Sequence, residues 1–215
     1  PRRPELPPFT GGLVGYFSYD FLKYAEPSVD LETRDTENFK DVDLMLFDKV
    51  IAFDHFRQKI ILIANMSLED PETGYNKAVM ELESMAALLK TDIPKQEQPG
   101  HLLGDFTPLF DRESYCDMVE QAKHHIREGD IFQIVLSNRL AAPYTGSLLN
   151  TYRILRTLNP SPYMFYFSGM DVEIAGASPE TLVKLEDGVL HTFPLAGTRP
   201  RGKTEGEDKA LEAEL

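Results

Sequence analysis

Apolar residues recur along this chain with two periods, and the switches between them mark its elements. Residues 9–24 (FTGGLVGYFSYDFLKY) are apolar and aromatic with glycines at 11, 12 and 15. That composition predicts a strand packed closely against other backbone. After a polar loop over 26–40, residues 43–65 carry two apolar runs, LMLF…VIAF and IILIAN, parted by DHFRQK. The pattern predicts a β-hairpin. Asp70 followed by Pro71 forms an N-cap and N1 pair. Behind it, Tyr75, Ala78, Val79, Leu82, Met85, Ala86 and Leu89 fall at helical spacing, predicting a helix that ends near Lys90.

The periodicity then lapses. Residues 91–105 contain two prolines and two glycines, the composition of a linker. The domain reading is therefore residues 1–95, a linker at 96–106, and 107–215. A second helix starts at Asp111, with Tyr115, Met118, Val119, Ala122 and Ile126 as its apolar face and Gly129 as its stop. Residues 131–140 (IFQIVLSNRL) follow as a predicted strand. Its pleat puts Phe132, Ile134, Leu136 and Leu140 on one face and Gln133, Val135, Ser137 and Arg139 on the other. A short helix at 147–157 ends before Asn159-Pro160, because the residue before proline resists the α region. Strands at 163–167 and 173–177 come next, then a hairpin of 181–185 with 189–193 turning at Asp187-Gly188. Residues 205–215 begin a last helix. Strands and helices do not alternate as βαβ units, so the class is α+β, mainly antiparallel sheets packed with helices.

Composition narrows the function classes. With 42% hydrophobic and 27% charged residues the chain is ordinary globular protein, neither low-complexity nor disordered. A net charge of −13 lacks the clustered Lys and Arg that a phosphate backbone requires, so nucleic acid is not the expected partner. Nor does any apolar run approach the roughly 18–20 residues that cross a bilayer, and a soluble, cytoplasmic protein is expected. The single cysteine, Cys116, excludes an internal disulfide framework and reads as a buried structural thiol. The chain opens at Pro1 without methionine and closes inside an amphipathic Glu-rich run, which suggests a piece of a longer protein.

Phosphate-loop, dinucleotide, zinc-helix and paired-cysteine motifs are all missing. His124 and His125 are adjacent on one helix and cannot face one target. Two segments carry more chemistry. PLAGTRPRG (194–202) offers backbone N–H groups, a hydroxyl and two guanidiniums, the donors that a carboxylate needs. Read alone, it is an anion site or simply a polar turn. GASPE (176–180) sets Glu180 just before a hairpin that leads back to that segment, where a lone surface glutamate is equally a reading.

Four stretches taken in order give a resemblance: GGLVGYFSYD (11–20), REGDIFQIVLSNR (127–139), NPSPYMFY (159–166), and GASPETLVK (176–184) running on to PLAGTRPRG. Together they resemble the chorismate-utilising enzymes, and among these component I of anthranilate synthase. The resemblance implies a two-layer α/β assembly of antiparallel sheets and helices, incomplete in this chain. Residues 1–95 would then be the later part of the regulatory region and 107–215 the first half of the catalytic domain. The implied reaction takes chorismate and ammonia to anthranilate and pyruvate, with Mg²⁺ as cofactor. Ammonia would come from a glutamine amidotransferase partner subunit (component II), and tryptophan would inhibit.

Residue roles follow from the same resemblance. Glu180 matches the general acid that protonates the leaving 4-hydroxyl, for which burial should raise its pKa. Gln133 stands where water-using relatives carry a lysine; a carboxamide cannot act as a base, so the nucleophile must arrive competent, as ammonia does. Ala196 stands where aminodeoxychorismate synthases carry a nucleophilic lysine. Gly197 and Thr198 match positions binding the ring carboxylate, and Pro162, Tyr163 and Met164 match the tryptophan-binding stretch. No metal ligand of the family falls within the chain; those glutamates are expected after Leu215. The piece alone is therefore expected to be inactive and to bind Mg²⁺ and tryptophan poorly, with open sheet edges and apolar faces. An aminodeoxychorismate synthase-like enzyme and a non-catalytic ligand-sensing module are the competing readings.

Overall fold

The computed structural model describes residues 3, 5–29, 35–91, 97–195 and 197–215. The chain divides into two units, Pro1–Lys95 and Gln96–Leu215.

The first unit runs β1 (Gly12–Phe17), a 3₁₀ turn (Tyr19–Phe21), α1 (Leu22–Ala25), β2 (Val42–Phe47), β3 (Lys49–Asp54), β4 (Lys59–Ala64) and α2 (Pro71–Leu89). β1 pairs antiparallel with β2, Gly12 opposite Phe47 and Phe17 opposite Val42. β3 and β4 form a hairpin, Lys49 opposite Ala64. The first apolar run of the predicted hairpin thus splits at Asp48, and its front half crosses back to residues 12–17. The strand predicted over 9–24 stops at Phe17. Beyond it the Asp41 carboxylate collects Lys23 Nζ at 2.7 Å, Tyr24 Oη at 3.0 Å and Ser18 Oγ at 3.2 Å, and fastens a helical turn there instead.

α2 forms as its signals predict. Asp70 accepts from the Thr73 N–H at 3.3 Å, with Pro71 in the first turn. The helix packs against β4. Ala78, Val79, Leu82 and Ala86 are half-buried, and Met85 is the only buried apolar side chain among the described residues.

The second unit runs β5 (His101–Leu102), β6 (Thr107–Pro108), α3 (Arg112–Glu128), β7 (Leu140–Ala141), β8 (Tyr144–Thr145), α4 (Leu149–Leu158), β9 (Tyr163–Ser168), β10 (Glu173–Ser178), β11 (Thr181–Glu186), β12 (Val189–Phe193) and α5 (Glu205–Glu214). β5 pairs with β8 and β6 with β7. With Leu103 N–H donating to Pro143 O and Ser147 N–H to Gln98 O, these ladders hold the stretch expected as a linker onto the second unit; Gln96 lies outside the described residues. Asp111 caps α3 by accepting from Ser114 N–H at 2.8 Å, and Gly129 ends it at φ 84°. Cys116 is exposed, contrary to the buried thiol expected, because nothing described covers its side of α3.

Residues 131–139 do not form the expected strand. None of the described residues hydrogen-bonds to residues 131–135. Phe132 is fully exposed and Val135 is 83% exposed. A strand apolar on both faces needs neighbours at its edges and over both sides, and the described residues supply none there.

β9 and β10 pair antiparallel, Tyr163 opposite Ser178 and Ser168 opposite Glu173. β11 and β12 form the hairpin at Asp187-Gly188. Both turn residues have positive φ, 51° and 82°, as a two-residue turn matched to strand twist demands. α4 packs on β9 and β10, and no side chain of its own caps it. Instead Glu173, at the start of β10, accepts from Leu148 N–H at 2.7 Å, Tyr166 Oη at 2.6 Å and Ser147 Oγ at 3.2 Å.

The elements bear out an α+β class, with antiparallel pairing in every ladder among the described residues. Every ladder among the described residues has only two strands. Large apolar side chains on three of these ladders, Leu46 on β2, Ile60 on β4 and Leu182 on β11, are exposed. The expectation of open apolar faces is met.

Candidate functional site

Three of the predicted segments meet at the corner where β10 passes into β11. Ser178 and Glu180 bracket Pro179 there, and the Ser178 hydroxyl lies 3.4 Å from both the N and the O of Glu180. From this turn the Glu180 side chain reaches the segment beyond β12, where its Oε1 accepts from Leu195 N–H at 3.2 Å. One hydrogen bond thus ties the candidate acid to the head of PLAGTRPRG, across fifteen residues of sequence.

Tyr163 reaches the same corner from β9. It stands opposite Ser178 in the ladder, and its hydroxyl lies 2.6 Å from Thr181 Oγ1. Met164 is half-buried opposite Ala177, while Pro162 and Tyr163 are exposed. Behind them the Phe165 ring fills the space over Gly176, where an added Cβ would sit 2.3 Å from Cζ. A side chain at 176 would push that ring off the sheet and disturb the ladder that sets Tyr163 beside Thr181.

Glu180 is itself exposed, so the burial expected to make it a proton donor is not met: no described residue covers the corner. Gly197 adopts φ 78°, and Thr198 is exposed, its carbonyl accepting from Arg199 Nη1 at 3.2 Å. Ala196 lies outside the described residues.

The guanidiniums face a different way from the reading that offers them to a ligand. Arg199 Nε lies 3.5 Å from Glu214 and Arg201 Nη2 lies 3.0 Å from Asp208, both on α5. Asp208 also accepts from Gly202 N–H at 2.8 Å, and Glu207 from Lys203 N–H at 2.8 Å. These bonds clamp the end of the segment onto the first turn of α5, and a cleft of 440 Å³ lined by Arg199, Arg201, Asp208 and Leu211 lies alongside.

Gln133 is exposed and makes no hydrogen bond among the described residues. It stands on the unpaired 131–139 segment, and nothing in the described fold fixes its side chain. Among the described residues no group of three or more His, Cys, Asp and Glu side chains is placed to hold a metal ion, so the residues present do not on their own fit Mg²⁺. Nor is any described helix long and apolar enough to cross a membrane.

Two participants escaped the sequence reading: the Leu195 N–H and the Tyr163–Thr181 hydroxyl pair. Both contacts join residues at least fifteen apart in sequence, and only the strand register, which periodicity leaves open, brings them together.

Comparison with known proteins gives one family and a consistent set of relatives. The family model described as chorismate binding enzyme matches residues 1–215. Anthranilate synthase component 1 of Acinetobacter calcoaceticus is 42% identical over 99% of this chain and 44% of its own length. That of Thermus thermophilus is 42% identical over 100% of this chain and 45% of its own length. Among solved structures, anthranilate synthase component I from Streptococcus pneumoniae superposes with a TM-score of 0.79 at 32% identity, over 100% of this chain and 46% of that one. The chain therefore spans less than half the length of these relatives.

Proposed function

The chain belongs to the family of chorismate-binding enzymes, and we propose that it supplies part of component I of an anthranilate synthase, a lyase of tryptophan biosynthesis. In this reading chorismate and ammonia give anthranilate, pyruvate and water. The observation that carries it is the bond between Glu180 and Leu195 N–H. It puts the family's candidate acid at the head of the segment holding Gly197 and Thr198, where the ring carboxylate of chorismate would be bound.

Each residue has a task within this reading. Gly197 and Thr198 hold the ring carboxylate through backbone N–H and hydroxyl donors. Glu180 delivers a proton to the departing 4-hydroxyl, which leaves as water. For that it must be protonated when the bond breaks, and cover from outside the described residues supplies the necessary burial. Gln133 lines the site without acting as a base, so ammonia attacks as the free amine. Mg²⁺ belongs to the reading as the cofactor of the family; its ligands lie outside the described residues and no step is assigned to it here. Ammonia comes from an amidotransferase subunit, component II. Tryptophan inhibits by occupying an apolar slot walled by Pro162, Tyr163 and Met164. A cytoplasmic setting, with neither nucleic acid nor membrane as partner, completes the reading.

Anthranilate fluorescence tests it. The full-length polypeptide, given chorismate, Mg²⁺ and ammonium, is expected to produce a signal that tryptophan suppresses, whereas residues 1–215 alone give none. Consumption of chorismate without anthranilate would transfer the chain to a sister activity, and no consumption would refute the enzymatic reading.

A further inference from the structure

The segment 194–202 is strung between two side-chain anchors. At its head Leu195 N–H donates to Glu180 Oε1 at 3.2 Å. At its tail Gly202 N–H donates to Asp208 Oδ1 at 2.8 Å, six residues further along the chain in the first turn of α5. Between these anchors no backbone N–H of Gly197, Thr198, Arg199 or Arg201 donates to a described residue, and Pro200 has none to offer. Donors at Gly197 and Thr198 are thus left open for a ligand, while the course of the backbone that carries them is set at its two ends.

The tail is shaped for this contact. Gly202 lies so close to α5 that a Cβ on it would sit 2.3 Å from Asp208 N and 2.6 Å from Asp208 Cα. Its φ is outside the left-handed region, so the glycine is there for space: only a bare backbone lets the Asp208 carboxylate reach that N–H. Next to it, Lys203 N–H donates to Glu207 Oε2 at 2.8 Å and Glu207 N–H to Thr204 Oγ1 at 3.3 Å, a capping pattern that fixes the first turn of the helix. Asp208 has a second partner in Arg201 Nη2 at 3.0 Å, but the Arg201 side chain is 90% exposed, and an ion pair so placed contributes little. The half-buried bond to Gly202 N–H is the anchor.

We propose that Asp208 is a positioning residue for substrate: through Gly202 N–H it fixes the tail of the segment, so that the donors of Gly197 and Thr198 converge on the ring carboxylate of chorismate. This rests on the lyase reading, in which those two residues bind that carboxylate. Glu180 anchors the head and also meets substrate; Asp208 anchors the tail and acts only through the backbone. What it supplies is an acceptor oxygen, which asparagine keeps and alanine removes.

Steady-state anthranilate formation by the full-length polypeptide, with chorismate varied at saturating Mg²⁺ and ammonium, tests the assignment. Asp208→Ala is expected to raise KM for chorismate about tenfold, the lower end for one hydrogen bond to a charged acceptor. Its kcat is expected to stay within about twofold, as when binding common to ground and transition states is lost. Loss of folded protein alone would instead lower the apparent kcat and leave KM where it was. Asp208→Asn is expected to remain within about threefold of the unsubstituted protein in both constants, and Arg201→Ala likewise. A readout independent of turnover is the Gly202 amide in the full-length protein, whose exchange should quicken about tenfold in Asp208→Ala and not in Asp208→Asn. An unchanged KM in Asp208→Ala would overturn the proposal. So would a rise in Asp208→Asn or Arg201→Ala equal to that in Asp208→Ala, which would give the role to charge. Absence of turnover in the unsubstituted protein is a separate failure: it removes the lyase reading, and the role of Asp208 falls with it.

Discussion

Replacing Glu173 by alanine removes three hydrogen bonds at one stroke, those from Leu148 N–H, Tyr166 Oη and Ser147 Oγ. The first is the cap of α4, which no side chain of the helix itself provides; losing a cap costs about 1 kcal/mol. Each hydroxyl bond to a carboxylate is worth about 1.5 kcal/mol when sheltered and less here, where the groups are half-buried. Allowing the freed hydroxyls to find water, the local cost comes to about 2–3 kcal/mol. At about 1.4 kcal/mol per tenfold, this speeds opening of the first turn of α4 by a factor of about 30–150. Glu173→Gln keeps an acceptor for Leu148 N–H but turns one oxygen into a donor, and about half the effect is expected. The assay is native-state amide exchange of Leu148 and Leu149 in the full-length protein, with the α3 amides as internal control. If Glu173→Ala changes the Leu148 rate by less than threefold, the carboxylate does not cap α4 and the reasoning fails.

Three further outcomes are expected. Thr181→Val deletes the partner of Tyr163 while keeping the β-branched shape; it should lower thermal stability by the equivalent of at most about 1 kcal/mol and, if Pro162, Tyr163 and Met164 wall the tryptophan slot, weaken inhibition by tryptophan in the fluorescence assay. Gly188→Ala meets nothing within 4 Å, so its cost is the backbone's alone at φ 82°. About 1 kcal/mol is expected in urea unfolding, and Asp187→Gly at the neighbouring position should be neutral or better. The Asp111 carboxyl is held below its ordinary 3.8 by the Ser114 backbone N–H and then its hydroxyl. Its capping is therefore complete above 3.8 and lost as pH falls through the lower folded value. Carbon-13 shifts of the first turn of α3 should show fraying only below pH 3.8, and Asp111→Ala should fray at neutral pH without that step.

The local part of the fold was legible because its causes are local. Asp70-Pro71, Asp111 and Gly129 set helix ends through bonds within one turn, and Asp187-Gly188 set a hairpin through its own φ angles. Pairings at long range were not legible: nothing in VDLMLF distinguishes β1 from β4 as its partner, and the choice is made by the register and the Asp41 anchor. Residues 131–135 have the strand pattern without the strand, because pairing depends on a neighbour and the pattern records only the need for one. The chemistry shows the same division. Glu180 stood out through its turn, but its bond to Leu195 and the proximity of Tyr163 come from tertiary placement.

A chain whose described ladders are all two-stranded has a problem of timing as well as of packing. The relatives are about twice the length of this chain, and whatever part of such a length follows residue 215 is still to be made when that residue is joined. At about 5–20 residues per second, each hundred residues of it takes roughly 5–20 s of further synthesis. Hairpins close in about 1–10 μs, so β3–β4 and β11–β12 would form at once and then wait on the ribosome with Phe53, Leu182 and Leu190 in water. Nascent chains of this protein should therefore be clients of ribosome-associated chaperones over that interval, and synonymous codons that slow translation after residue 215 should lower the yield of soluble protein.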